Sequence, residues 1–425
     1  MGTRHEVVRA GASNAGDDRA SGLGSIRELR IGGRLIGGRS TGGRGGEGRN
    51  TTALAPVYVI AELGVNHDGD VERALSLVDA AKKAGADAIK VQVFRAELLL
   101  SGDATLAAYQ AGAGEHDPGA MLRRLELPME SLARVARAAR SAGLQAIATV
   151  FSLPLVREAE AIGFDAYKVA SPDIVHRPLL EALVRTGRPL ILSTGAATLG
   201  EVRRAREWLG ETWSRAGVLQ CVSSYPTTRE NAALEAMADL AALTPAAVGY
   251  SDHTTEIDAG ADAVRMGATI LEKHLTYDSG APGPDHAASL DPVQFEQYVA
   301  WAREAADLPR AVARATGAKR VLECERDVRR SSRQSCVAAR DLRAGQTLTI
   351  DDVVFKRPGT GLPPYRLVDA LGRTLERDVT ADRVIHPEDV GLAPEQPLAS
   401  KPSDARSQES DPSQGGISGA RSRAA

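Results

Sequence analysis

Between residues 57 and 305 the chain repeats one pattern eight times: a short β-branched or apolar run, then a stretch with apolar residues at helical spacing. Candidate strands fall near 57–62, 86–93, 144–149, 166–170, 189–193, 217–222, 246–250 and 268–274. Candidate helices follow them near 71–84, 129–142, 153–162, 177–187, 198–209, 231–242, 256–266 and 292–305. Gly85, Gly143, Gly163 and Gly187 stand where such helices would end, just before a strand. Alternation of this kind implies a parallel sheet, because each strand needs a crossover helix to regain its direction. Eight units, with no G-x-G-x-x-G turn after the first strand, predict a closed (β/α)8 (TIM) barrel rather than an open doubly wound sheet.

A barrel of about 250 residues leaves room in a 425-residue chain for one smaller unit. Residues 1–52 are rich in Gly, Arg and Ser and offer little to a core, so an unstructured extension is expected. No aromatic residues interleave its Gly-Arg stretches, and a nucleic-acid role is not expected. The barrel is assigned to 53–315 and a linker to 316–333. Over 334–393 helical periodicity gives way to short segments broken by Gly and Pro, which predicts a small, mainly β domain. The tail 394–425 reads like the first segment. Cys221, Cys324 and Cys336 are too few for a disulfide framework or a four-cysteine metal site and are expected as reduced thiols. A net charge of −3 gives no reason to expect a polyanion partner. No apolar run approaches the roughly 20 residues that span a bilayer, and no apolar leader opens the chain, so a soluble cytoplasmic protein is expected.

In such barrels the working residues come from the C-terminal ends of the strands. Polar side chains gather there: Glu62, Lys90 and Gln92, Thr149, Lys168 and Ser171, Ser193 and Thr194, Tyr225, Ser251-Asp252-His253, and Glu272 with His274. Lys90 and Lys168 each stand in an apolar strand, where an unpaired ammonium would be costly to bury. A structural carboxylate such as Glu62 or Asp173 could neutralise either one. Two lysines and several hydroxyls at one rim favour an anionic ligand, a phosphate or carboxylate. His253 and His274 close adjacent strands, which suits either two structural imidazoles or a pair holding a divalent ion with open positions. Glu272 and Asp285 are near enough in sequence to complete or orient such a site. Pro282-Gly283-Pro284-Asp285-His286 reads as a plain turn, or as a stiff loop carrying an acid over the barrel mouth.

These residues resemble the sialic acid synthases, a family with relatives that make legionaminic and pseudaminic acids or spore-coat sugars. The resemblance runs through Ile60-Ala61-Glu62-Leu63-Gly64-Val65-Asn66-His67, Ala84-Gly85-Ala86-Asp87-Ala88-Ile89-Lys90-Val91-Gln92, Tyr167-Lys168-Val169-Ala170-Ser171 and Ile191-Leu192-Ser193-Thr194-Gly195. It continues through Gly249-Tyr250-Ser251-Asp252-His253-Thr254, Leu271-Glu272-Lys273-His274 and Pro282-Gly283-Pro284-Asp285. Lys356-Arg357-Pro358-Gly359-Thr360-Gly361 is similar to the family's antifreeze-like (SAF) domain.

The resemblance implies condensation of phosphoenolpyruvate with an N-acyl amino-sugar aldehyde, N-acetylmannosamine or a related hexosamine. It implies a divalent ion, Mn2+ or else Mg2+ or Co2+, on His253 and His274. Lys90, Thr149, Lys168, Ser171, Ser193, Tyr225 and Ser251 would then grip phosphoenolpyruvate, while Gln92, Asp173 and Asp285 meet the sugar or the attacking water. Glu62 and Asp285 would place protons and water. It also implies a homodimer with exchanged small domains, Arg357 reaching the partner's sugar. The chain departs from the pattern at Asp173, where the family usually has glutamate. Gln220-Cys221-Val222-Ser223-Ser224-Tyr225-Pro226 replaces a motif usually opened by histidine and often containing asparagine, so that Ser223 would take the phosphate contact. Val150, Ala281, Arg333 and Gln334 also differ. Two other readings stand beside this one: a Schiff-base aldolase using Lys168 on a keto-acid, and a silent acidic-sugar-binding module.

Overall fold

A computed structural model of the chain describes residues 29–31, 34–36, 57–244, 246–309 and 314–394. Eight parallel strands close into a barrel: β1 (Tyr58–Gly64), β2 (Ala88–Val93), β3 (Gln145–Val150), β4 (Ala166–Val169), β5 (Leu190–Ser193), β6 (Gly217–Cys221), β7 (Val248–Asp252) and β8 (Ile270–His274). The ring shuts where β8 pairs with β1, Ile270 opposite Tyr58 and His274 opposite Glu62. All eight strands coincide with the runs read from the sequence, because a strand buried on both faces is apolar almost throughout.

Alternation divides each strand between two cores. Inward, Tyr58, Ile60, Ala88, Ile147, Ala166, Ile191, Leu219, Ala247 and Ile270 pack into a plug at the base of the barrel. Outward, residues such as Val59, Ile89, Val91, Leu190 and Leu271 meet the surrounding helices in the main core. Each fully buried Val, Leu or Ile contributes roughly 1.5–3 kcal/mol. The plug leaves the upper half of the interior free for polar side chains. Helix ends are fixed locally: Asp70 accepts hydrogen bonds from the N–H groups of Glu72 and Arg73, and Thr198 and Glu201 form a reciprocal capping box.

Two departures from the expected pattern matter for the site. Between β2 and the helix Met129–Ser141 lie three short helices, Ala96–Leu99, Ala108–Gly112 and Pro118–Leu125. Each is too short to show a helical period in sequence. The first and third of these, with Val65, Phe94 and Phe151, enclose a separate apolar cluster containing Ala96, Leu99, Met121, Leu122 and Leu125. The segment read as a linker is also structured, with a 3-10 turn at Glu323–Glu325 and a helix at Arg326–Ser332.

The small domain is built on two antiparallel strands, β9 (Ser335–Ala338) and β10 (Val353–Lys356), around a core of Cys336, Leu342, Leu348, Leu362, Leu375 and Ile385. It seats on the barrel rim through a parallel bridge between Leu100 and Arg357 and through Tyr365, 5.6 Å from Trp208 between ring centroids. A short antiparallel pair, Leu29–Ile31 with Arg34–Ile36, falls within the Gly/Arg-rich stretch for which no element was expected. The rest of 1–52 and the tail from 395 lie outside the described residues. No described helix is long and apolar enough to cross a membrane.

Candidate active site

The upper barrel opens into a cleft of about 870 Å³, part of it in contact with solvent. Strand periodicity explains its polar floor. Lys90 and Gln92 share one face of β2, Glu272 and His274 one face of β8, and all four point inward. Of the fifteen site residues expected from sequence, fourteen line this cleft: Glu62, Lys90, Gln92, Thr149, Lys168, Ser171, Ser193, Ser223, Tyr225, Ser251, His253, His274, Asp285 and Arg357. Asp173 does not. It stands behind the wall on the turn Ser171–Val175, accepting a 3.0 Å hydrogen bond from Gln334 Nε2, while Gln334 also donates to the Phe151 carbonyl.

The lysines are neutralised inside the protein while still lining the cleft. Lys90 Nζ is 2.9 Å from Glu62 Oε2, 3.0 Å from Thr149 Oγ1 and 3.7 Å from Glu272 Oε1. Burial acts to lower its pKa, but the Glu272 and Glu62 carboxylates prevail and hold it above its ordinary value. Lys168 Nζ donates to Ser193 Oγ at 2.6 Å and to the Val169 carbonyl, and lies 3.7 Å from Glu272. There burial prevails and the amine is held below the usual lysine range. Glu272 is the shared counter-charge: burial would raise it, but Lys168 and Lys90 keep it low, and Ser251 Oγ donates to it at 3.0 Å. Glu62 behaves oppositely. Burial raises its pKa to about 7 against the pull of Lys90, and Gln92 Nε2 donates to it at 3.1 Å.

The two imidazoles do converge, with ring centroids 5.6 Å apart. His253 Nδ1 donates to the Val222 carbonyl at 2.8 Å, which leaves Nε2 as the free donor atom. His274 is kept neutral because burial, His253 and Lys90 all depress its pKa; its Nδ1 is buried without a hydrogen-bond partner, 3.8 Å from Asp285 Oδ2. A neutral orphaned imidazole beside one oriented through its far nitrogen suits a divalent ion with open coordination positions. Among the described residues no cluster of three or more His, Cys, Asp or Glu stands ready to hold a metal. Water and substrate would have to complete the shell.

Several lining residues escaped the sequence reading. Tyr109 comes from the short helix Ala108–Gly112 and stacks on Tyr225 at 4.9 Å, which in turn lies 4.1 Å from the His253 ring. Val328 and Ser332 come from the supposed linker. Nothing in the Ala/Gly-rich stretch around Tyr109 marks it as functional. Cys221, read as an ordinary thiol, lines the cleft 3.8 Å from His253 Nδ1. The Pro-Gly-Pro turn does carry its acid to the mouth: burial raises the Asp285 pKa, and the next residue, His286, is fixed by Asp68 Oδ1 at 3.0 Å and Thr276 Oγ1 at 2.7 Å. Arg357 arrives from the chain's own small domain, its guanidinium 5.3 Å from the Phe151 ring centroid.

The model of the NeuB family matches residues 77–311, and that of the SAF domain matches 333–391. The chain belongs to the NeuB family. It is 36% identical over 331 residues to the N,N'-diacetyllegionaminic acid synthase of Legionella pneumophila, covering 76% of this chain and 92% of that protein. It is 30% identical over 347 residues to the N-acetylneuraminate-9-phosphate synthase of Homo sapiens, covering 78% and 93%. Among solved structures, the spore coat polysaccharide biosynthesis protein SpsE of Bacillus subtilis superposes with a TM-score of 0.70 at 28% identity, covering 86% of this chain and 100% of that one. As a NeuB member the chain is an enzyme of the condensing transferases that use phosphoenolpyruvate.

Proposed function

We propose that the chain joins phosphoenolpyruvate to an N-acyl amino-sugar aldehyde, N-acetylmannosamine or a related hexosamine, giving a nonulosonic acid and phosphate. The observation that carries this reading is that two buried lysines and a set of hydroxyls face the same cleft as the imidazole pair. Such a cleft can seat an anionic enol ester beside an aldehyde, so much of the rate gain comes from positioning.

His253 and His274 would hold the divalent ion, Mn2+ or else Mg2+ or Co2+, whose bound form polarises the aldehyde oxygen. Lys90 and Lys168, with Thr149, Ser171, Ser193, Ser223, Tyr225 and Ser251, bind and orient the phosphate and carboxylate by charge-assisted hydrogen bonds. C3 of the enol ester attacks the aldehyde carbon, and positive charge develops at C2. Glu62, poised near neutrality, and Asp285 are placed to hand a proton to the sugar oxygen and to orient the water that adds at C2. Collapse of that adduct expels phosphate, whose charge the lysines stabilise. Gln92 and Arg357 line the cleft and would meet the sugar there; Asp173, bonded to Gln334 behind the wall, would have to leave that partner to do so. A homodimer with exchanged small domains would deliver the same guanidinium from the partner, through the Leu100–Arg357 contacts that hold it here.

Incubation with phosphoenolpyruvate, Mn2+ and a panel of N-acyl hexosamines tests the proposal. Phosphate release that requires both acceptor and metal is expected, and its absence with every acceptor would overturn the reading. Lys168, held low by burial, also suits an imine-forming amine. Borohydride trapping with a keto-acid separates the two: the synthase gives no covalent adduct.

A further inference from the structure

The segment between barrel and small domain is bonded to the rim at three places, and its most buried member is an acid. Glu325 is 1% exposed. Its Oε1 accepts hydrogen bonds from two backbone N–H groups, Ala196 at 2.6 Å and Ser223 at 2.8 Å, and its Oε2 accepts one from Leu322 at 2.9 Å. Ala196 follows β5 and Ser223 follows β6, so a single carboxylate ties together the two loops that present Ser193 and Ser223 to the cleft.

The same segment also grips the other side of the first loop. Ala196 is fully buried with φ at +48°, a left-handed conformation unfavourable for a residue with a Cβ. Its carbonyl accepts from Arg329 Nη1 at 2.5 Å and Arg333 Nη2 at 3.1 Å. Those guanidiniums are anchored by Glu201, at 2.8 Å and 2.7 Å, in the helix that follows the loop. One residue earlier, Gly195 donates its N–H to Ser171 Oγ at 2.9 Å. A Cβ at that position would lie 2.4 Å from Ser223 Oγ and 2.9 Å from Ser171 Oγ. The left-handed turn is thus pressed against two hydroxyls assigned above to the anion. Without clamps on both its N–H and its carbonyl, Ala196 would relax and withdraw that surface.

We propose that Glu325 is a positioning residue for the anion site: through the Ala196 and Ser223 amides it sets the spacing of the β5 and β6 loops, and with it the affinity for phosphoenolpyruvate. This rests on the reading that an anion occupies the lysine-lined half of the cleft. It also makes small-domain docking and anion binding one linked event, since the helix that carries the arginines leads directly into β9.

The test is titration of the full-length protein with phosphoenolpyruvate and with inorganic phosphate, alongside steady-state kinetics. Glu325→Ala should weaken both anions and raise KM for phosphoenolpyruvate about ten- to a hundredfold, with KM for the acceptor changed less than about threefold. Glu325→Gln, which keeps an acceptor oxygen for both amides, should recover most of that loss. Glu325→Asp, which keeps the charge and the fold but draws the carboxylate back by one methylene, should behave like Glu325→Ala. If the unsubstituted protein binds neither anion, the functional reading fails and this one with it. Unsubstituted protein that binds while the Ala and Asp variants bind equally well, or variants that lose thermal stability with no change in anion affinity, would overturn the positioning role alone.

Discussion

Asp173 offers a substitution whose effect can be worked out before it is measured. Its side chain is 1% exposed, Oδ1 is held by Gln334, and Oδ2 has no hydrogen-bond partner. Burial, partly offset by Arg357, Gln334 and Arg333, raises its pKa from 3.8 to about 6. Each tenfold change in proton affinity is worth about 1.4 kcal/mol, so the climb represents about 3 kcal/mol. A carboxyl raised in the folded state favours folding below pH 4, where it is protonated in both states. That advantage drains away as pH rises through about 6, where the folded protein must carry a buried charge. Asp173→Asn keeps an acceptor for Gln334 and carries no charge. It should therefore stabilise the protein by up to about 3 kcal/mol at pH 7.5 and by little at pH 4. Denaturant unfolding of both proteins at the two pH values measures the difference. The same change should lower kcat/KM for the sugar if the carboxylate meets a hydroxyl, a trade of function against stability. A stability difference between variant and unsubstituted protein that is the same at both pH values, or a variant weaker than the unsubstituted protein at pH 7.5, would refute the reasoning.

Two further outcomes are expected. Mn2+ at a hundredfold excess over Kd should stabilise metal-stripped protein by about 2–3 kcal/mol, read as a raised melting temperature, and His274→Ala should abolish that gain; an undiminished shift in a thermal melt would remove His274 from the metal site. Gly249→Ala should lower stability by about 1–3 kcal/mol or more in thermal unfolding followed by circular dichroism, because its Cβ would fall 2.1 Å from the Ile270 carbonyl oxygen of the neighbouring strand, which cannot retreat without opening the barrel.

The barrel was legible because burial on both faces writes each strand as an apolar run, and the polar residues that interrupt those runs are the ones in the cleft. Lys90, Lys168, His253 and His274 announced themselves this way. Of the alternatives weighed for the lysines, the structural carboxylate is present: Glu62 and Glu272 hold them, and both lysines still line the cleft. Tyr109, Val328 and Ser332 were invisible because they reach the cleft from short helices whose positions depend on contacts distant in sequence, such as Asp327 accepting from the Ala108 N–H at 2.9 Å. Gln334, an unexplained departure in sequence, acquires a reason once it is seen bonded to Asp173. Glu325 gave no sign, since an acid beside a presumed linker looks like a solvated one.

On β8, Glu272 and His274 face the cleft, while Lys273 between them is buried on the opposite side, 3.5 Å from Asp252 and bonded to the Thr254 carbonyl. Consecutive letters of one motif therefore answer to separate masters, one chemical and one architectural. New reactivity can be grafted onto the inner set while the outer set continues to hold the staves together.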